Sequence, residues 1–406
     1  MVVIAMRYRW TICALLFYAT TLNYLDRQVL GVLAPLLQRD LGWSEAQYGY
    51  VITSFQIAYG ISFLFFGRFI DAIGTRLGYA LSVTIWGLAS LSHTLASTAR
   101  GFAICRFGLG LGEAGNFPAA VKTVAEVFPQ RQRAVVTGVF NSGSNVGAMI
   151  APLVMPWLAY RYGWRWCFVL TSTLGAIWVV LWLGTYDPSR HTASTVARDV
   201  WRNVIHRREL WGIMLARFCT DPVWWFLLYW TPKYLGTRTG IDLRTLALPL
   251  VIIYLAADAG SLFGGWLSSM LIGRGLAPVH ARKLGLLTGA LMVLPLAAVP
   301  HVSSLWVLVG LLGSATAGHQ AWAANVHTIV SDYFPQSEVA SVSGICGSAA
   351  SLSGAGAATI IGLILQWTGS YTVIFSCAAV AYLCGLSLLQ IVARPRHLAT
   401  DEHSAA

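Results

Sequence analysis

Apolar residues run along this chain in long blocks separated by short polar ones. Stretches without Lys, Arg, Asp or Glu extend over Trp10 to Leu25, Leu77 to Ala99, Trp166 to Tyr186, Leu284 to Val330 and Val339 to Ala393. About 20 apolar residues suffice for a helix to cross a bilayer, so each of the last two blocks must hold two helices. Cut at Gly, Pro and polar clusters, the pattern predicts twelve membrane spans with edges near 10–34, 46–70, 78–98, 101–127, 134–158, 166–185, 210–232, 246–272, 284–300, 305–331, 340–364 and 371–393. The first block follows Arg7 and Arg9 and leads into "NYLDRQVL" instead of a small-residue cleavage site, so it reads as a retained helix.

Composition fits that pattern. Of the 406 residues, 56% are hydrophobic and only 11% charged, against about 25% charged in a soluble domain. With both termini in the cytoplasm, sixteen of the 27 Lys and Arg fall inside, including Arg190, Arg198, Arg202, Arg207 and Arg208, while seven fall outside and Arg27, Arg106, Lys122 and Arg217 lie within spans. The positive-inside rule is thus satisfied. Basic loops facing anionic lipid account for the net charge of +11 without a nucleic-acid partner. All seven Cys sit in predicted spans with no metal-binding spacing and read as small packing residues. No metal or cofactor is expected.

Residues 128–148, "FPQRQRAVVTGVFNSGSNVGA", match residues 334–354, "FPQSEVASVSGICGSAASLSG", superposing Phe128-Pro129-Gln130 on Phe334-Pro335-Gln336, Val136 on Val342, Gly138 on Gly344 and Ser142 on Ser348. The shift is about half the chain and pairs spans of the same direction. It predicts two parallel six-helix repeats, over 1–186 and 210–394, with a polar, basic linker at 187–209 and a short tail at 395–406. Two such halves describe an all-α integral membrane protein of the major facilitator architecture, in which substrate binds between the halves near the midplane. The loop "GRFIDAIGTRLG" after the second span resembles that superfamily's cytoplasmic motif, with Gly67, Asp71, Gly74 and Arg76 in register and Ala72 where a basic residue is common.

Charges inside spans are costly, by about 2.5–3.5 kcal/mol each at the membrane centre, and usually mark function. In "RFGLGLGEAGNFPAA" of the fourth span, Arg106 and Glu113 lie seven residues apart, which puts both on one helix face about 10 Å apart. Gly108, Gly110, Gly112 and Gly115 leave that helix open to close approach by a neighbour. The first span carries Asn23, Tyr24, Asp26 and Arg27; adjacent residues point about 100° apart, so Arg27 can face a central cavity while Asp26 turns toward the fourth span. A fixed guanidinium there suits an anionic substrate, above all a carboxylate gripped by two nitrogens. The partly desolvated carboxylates of Asp26 and Glu113 could take up protons, and a proton added beside a cation changes that cation's hold on its partners.

Aromatic and amide residues cluster at matching depths: Gln56 and Tyr59 in the second span, Asn141, Ser144 and Asn145 in the fifth, Trp224, Trp225 and Tyr229 in the seventh, and His319, Gln320, Trp322, Asn325 and His327 in the tenth. Flat rings and convergent amides suit a sugar, whose faces are apolar and whose rim is hydroxylated. His319 and His327 are eight apart, about 80° off a common face, which argues against a metal pair. Asp221 precedes Pro222 and is expected to help end or kink the seventh span. Asp258 is expected to face the cavity.

With these residues in hand, the chain resembles the anion:cation symporter family of the major facilitator superfamily. "NYLDR", "RFGLGLGEAGNFPAA" and "FPQRQRAVVTGVFNSGSNVGAMIAP" carry the likeness, and "DPVWWFLLYWTPKYL" and "HQAWAANVHTIVSDYFP" resemble the hexuronate transporter branch. The resemblance implies proton-coupled uptake of a sugar acid, such as glucuronate or galacturonate, across a bacterial inner membrane by alternating access, with the monomer as the working unit. It implies protonation at Asp26 and Glu113, with Arg106 linking them to the cavity. It implies substrate contact by Arg27, Tyr24, Tyr59 and Trp322, to which the residue chemistry adds Asn145, Gln320 and Asn325. Galactonate-type relatives have a glutamine in the fifth span and an asparagine in the eleventh, where this chain has Ser144-Asn145 and "GICGS", so another organic anion (hexonate, hexarate or aromatic acid), export or sodium coupling stays open. A sensor that binds without flux lacks a signalling domain in this sequence. An enzyme is not expected, since no nucleophile with a neighbouring base is evident.

Overall fold

A backbone removed from water must satisfy its own N–H and C=O groups, which favours helices throughout apolar blocks of this length. The computed structural model describes residues 2–128, 130–187, 204–242, 245–334 and 336–393, and among them every regular element is helical. The helices are α1 Val2–Leu41, α2 Glu45–Ile73, α3 Thr75–Ser92, α4 Ala99–Glu113, α5 Asn116–Val127, α6 Gln130–Tyr162, α7 Arg165–Thr185, α8 Arg208–Thr239, α9 Ala247–Gly273, α10 Pro278–Val293, α11 Leu305–Tyr333, α12 Gln336–Thr368 and α13 Thr372–Val392. A 3-10 segment, Leu294–His301, continues α10. Most of the basic linker, the whole tail and the side chain of Asp71 lie outside the described residues.

Among the described residues, six segments are long and apolar enough to cross a membrane: α2, α7, α9, α10 with its extension, α12 and α13. Others among the expected spans carry polar residues at mid-helix, such as Asp26 and Arg27 in α1, Arg217 and Asp221 in α8, and His319 and Gln320 in α11. Two expectations are corrected. The fourth span is not one helix but α4 and α5, broken at Ala114–Gly115. Pro118 lacks an N–H and its ring crowds the carbonyl four residues back, which is that of Ala114. Conversely, Pro222 lies inside an unbroken α8, so of the two roles expected for Asp221, ending or kinking the span, the first is ruled out.

Small residues let these helices pack backbone to backbone. A Cβ on Gly147 of α6 would lie 2.3 Å from the Thr21 carbonyl oxygen of α1, and one on Gly112 of α4 would lie 2.5 Å from the Trp86 nitrogen of α3. The two "FPQ" joints have the same local geometry. Phe128 and Phe334 are both extended, φ −111° and −121°, and their N–H groups donate to Val124 and Val330 at 3.0 Å.

The helices before and after the linker meet along a seam between α2 and α12. At one end Lys233 of α8 pairs with Glu45, the Ala46 N–H donates to Gln366 Oε1 at 3.1 Å, and the Tyr48 hydroxyl donates to the Tyr229 carbonyl at 2.8 Å. Further along, Ser351 donates to the Gln56 carbonyl and Ser348 to that of Gly60, at 2.8 and 2.7 Å. Phe63 then packs against Gly347. Beyond it, Gly67 of α2 and Gly344 of α12 have no atom within 4 Å of an added Cβ. The α2–α12 seam is therefore closed at the Glu45 end and opens into a cleft around Gly67 and Gly344.

Candidate functional site

Arg27 of α1 is buried beside the seam, below its open end. Its Nε and Nη2 both meet Glu113 Oε2, at 2.9 and 2.8 Å, and Nη2 also donates to Asn23 Oδ1 at 2.9 Å. The break after Glu113 frees that residue's carbonyl, which accepts from Asn23 Nδ2 at 3.4 Å. Four rings surround the guanidinium: Tyr59 at 4.7 Å, Tyr24 at 4.8 Å, Phe55 at 5.3 Å and Trp225 of α8 at 5.5 Å. Such ring faces favour a cation electrostatically.

Arg106 and Glu113 do share a face, and Arg27 lies against both: Arg106 Nη2 donates to the Arg27 carbonyl at 3.3 Å. Asp26 and Arg27 point apart, as expected. Asp26, however, turns past α4 to the inside of the first bundle, where Oδ1 accepts from Ser90 of α3 at 2.7 Å and Thr171 of α7 lies beside it. Arg106 stands within electrostatic reach of it.

A buried polar atom without a partner is costly unless something occasionally fills the gap. Near Arg27, Glu113 Oε1 and the Tyr229 hydroxyl are such atoms, and both ends of the Gln56 amide, beside Trp225, are others. Gln56 and Trp225 both abut Gly354 of α12, where an added Cβ would lie 2.4 Å from Gln56 Oε1. This set of unmatched donors and acceptors near a cation, between aromatic faces, can accept a hydroxylated anion.

The remaining expected site residues divide. Tyr24 and Tyr59 are at the guanidinium, and Asn145 of α6 lies in hydrogen-bonding reach of Asp258 on α9, across the two bundles. Gln320 is partly exposed on the same side of α11 as His327, which is exposed and within electrostatic reach of Arg217. Trp322 and Asn325 point elsewhere. Trp322 is wholly buried edge-on against Tyr382 at 5.3 Å, and Asn325 donates to the Gly264 carbonyl at 3.1 Å. Both fill the core between α9, α10, α11 and α13 and do not line the cleft. The family resemblance had suggested a site role for Trp322 and residue chemistry one for Asn325, but both lie on the opposite face from Gln320 and His327. His319 is held at 2.6 Å by the Tyr382 hydroxyl and stacked on Trp224, a structural role. The Gln56 and Tyr229 side chains, aromatic-cluster neighbours in sequence, emerge as central through their unpaired atoms.

A seam closed at one end and open at the other, with a buried charge pair beside it, is a transporter arrangement, and the chain belongs to the Major Facilitator Superfamily, whose profile matches residues 16–319. It is a multi-pass membrane protein of a class that transports and does not catalyse. It is similar to the hexuronate transporter of Escherichia coli K12, 29% identical over 405 residues that cover 95% of this chain and 94% of that one. The galacturonate transporter of Dickeya chrysanthemi is 30% identical over 329 residues, 76% of this chain and 95% of that protein. Among solved structures, a D-xylose-proton symporter superposes with a TM-score of 0.77 at 16% identity, over 95% of this chain and 98% of the other, a likeness of fold.

Proposed function

We propose that this protein is a twelve-span, alternating-access symporter that carries a hexuronate, glucuronate or galacturonate, with protons into the cytoplasm across a bacterial inner membrane. The two six-helix halves are 1–186 and 210–394, joined by the linker at 187–209, with both termini and the tail at 395–406 in the cytoplasm and a monomer as the working unit. On that orientation the cleft end faces inward and the Glu45–Lys233 end outward. The α4–α5 pair counts as one span.

The observation that carries the reading is the set of unpaired polar atoms near Arg27. Arg27 is assigned the substrate carboxylate, and Tyr24, Tyr59, Asn145 and Gln320, together with Gln56, Tyr229 and Trp225, the hydroxylated ring. Asp26 and Glu113 are assigned the protons, with Arg106 between them. In the present state Glu113 holds Arg27 at two nitrogens. A proton on Glu113 removes that charge and frees the guanidinium for the substrate carboxylate; release of the substrate lets Glu113 lose its proton and take Arg27 back. Binding of proton and anion is thereby linked, which is what symport needs. Sugar-acid names among the relatives support the substrate class.

The test is uptake of labelled glucuronate by proteoliposomes, with galacturonate, gluconate and benzoate as competitors. Uptake that yields to galacturonate and not to the other two is the expected result. Competition by gluconate or benzoate alone would move the substrate class, and absence of uptake would overturn the reading.

A further inference from the structure

A second ion pair lies in the cleft and has no part in the mechanism above. On α8, Arg217 places Nε and Nη2 on Asp221 Oδ2 at 3.1 and 2.8 Å. It is less deeply buried than the Arg27–Glu113 pair, its side chains 13% and 15% exposed. An i, i+4 ion pair adds only a few tenths of a kcal/mol to a helix, so folding alone gives a poor reason for two charges in the middle of a membrane helix.

Its placement is informative. Trp225, which flanks Arg27, is eight residues further along α8, so Arg217 lies about 12 Å toward the open end. Tyr59 is within electrostatic reach of Arg217 and packs its ring on Arg27, so it spans the two cations. Cys346 of α12 stands beside Arg217, next to Gly347 of the seam. On the neighbouring α11, the exposed His327 completes the surround. Asp221 engages one edge of the guanidinium and leaves Nη1 without a hydrogen bond among the described residues.

We propose that Arg217 is a second carboxylate-binding station, which takes the carboxylate of the sugar acid after it leaves Arg27 and before it reaches the cytoplasm, with Tyr59 and His327 lining the passage. Asp221 keeps the guanidinium oriented while no anion is present, as Glu113 does for Arg27. This inference rests on the proposed sugar-acid transport.

The test is the Arg217→Gln/Asp221→Asn double variant, which removes both charges and leaves neither unpaired. Transport of labelled glucuronate is measured with substrate presented from each face, using right-side-out and inside-out vesicles. The expected result is a KM about tenfold or more higher from the cytoplasmic face, the loss of one charge-assisted contact, with the opposite face changed less than twofold. Equal KM values to the wild type on both faces, or equal shifts on both, would overturn the station. Wild-type vesicles that carry no sugar acid would sink the proposed function and the station together. Should the double variant fail to fold, Arg217→Lys keeps the charge but loses the two-nitrogen grip; a few-fold rise confined to the cytoplasmic face supports the station, and no asymmetry contradicts it.

Discussion

Replacing Glu113 with Gln keeps the size of the side chain and removes the charge that holds Arg27. Both side chains are buried, at 3% and 0% exposure, and two guanidinium nitrogens meet one carboxylate oxygen at 2.9 and 2.8 Å. A hydrogen bond to a charged group contributes about 1.5–3 kcal/mol. An incoming carboxylate competes with Glu113 for Arg27, so removing the competitor is expected to tighten anion binding by roughly 10- to 100-fold. The fold should persist, because Asn23 and four ring faces still hold the guanidinium, each ring contributing about 0.5–1 kcal/mol or more when desolvated. Calorimetric titration with glucuronate at two pH values reads this directly. In the wild type, anion binding requires a proton on Glu113, so affinity rises as pH falls; in Glu113→Gln that dependence should flatten. In proteoliposomes the variant should exchange labelled for unlabelled substrate but lose accumulation driven by a proton gradient. Affinity within twofold of the wild type with the same pH dependence, or accumulation left intact, would refute the reasoning.

Gly147→Ala would force a methyl to within 2.3 Å of the Thr21 carbonyl, an overpacking of about 1–3 kcal/mol that should lower the Tm of the purified protein, whereas Gly138→Ala, with open space around it, should not. Trp322→Phe removes part of a buried edge-on contact with Tyr382, worth about 0.5–1.5 kcal/mol; a lower Tm with substrate affinity unchanged within twofold is expected, and a large loss of affinity at unchanged Tm would return Trp322 to the site. Lys233→Met removes the ion pair with Glu45 at the closed end. Thiol labelling from outside of a cysteine introduced at Ala358, opposite Gly49, should then rise several-fold, and unchanged labelling would show that the seam alone keeps this end shut.

Much of this was legible in the chain itself. The apolar blocks and the paired "FPQ" joints anticipate an all-helical chain, with edges such as those of α2, α7, α9 and α13 found within a few residues, while α1 and the end of α8 run about seven or eight residues beyond theirs. The spacing of Arg106 and Glu113 correctly puts them on one face, because helix geometry depends only on residue count. What could not be read was rotation about each helix axis relative to its neighbours. Trp322, Asn325 and Gln320 sit within one turn and a half, yet the first two enter the core while Gln320 shares the cleft side with His327. Partner choice was equally hidden. Nothing in the string states that Glu113 grips Arg27, 86 residues away, or that Asp26 turns to Ser90 and Thr171. The break at Ala114 was in principle readable from Pro118, and the i, i+4 spacing of Arg217 and Asp221 from the helical repeat.

Linkage between Arg27, Glu113 and the substrate carboxylate is tested most directly by proton movement. Weakly buffered proteoliposomes carrying the wild-type protein, with no imposed gradient, receive glucuronate outside while the external pH is recorded. Alkalinisation that follows sugar-acid uptake and is lost in Glu113→Gln is the expected result. Glucuronate entering with no change in external pH would contradict proton coupling through this pair.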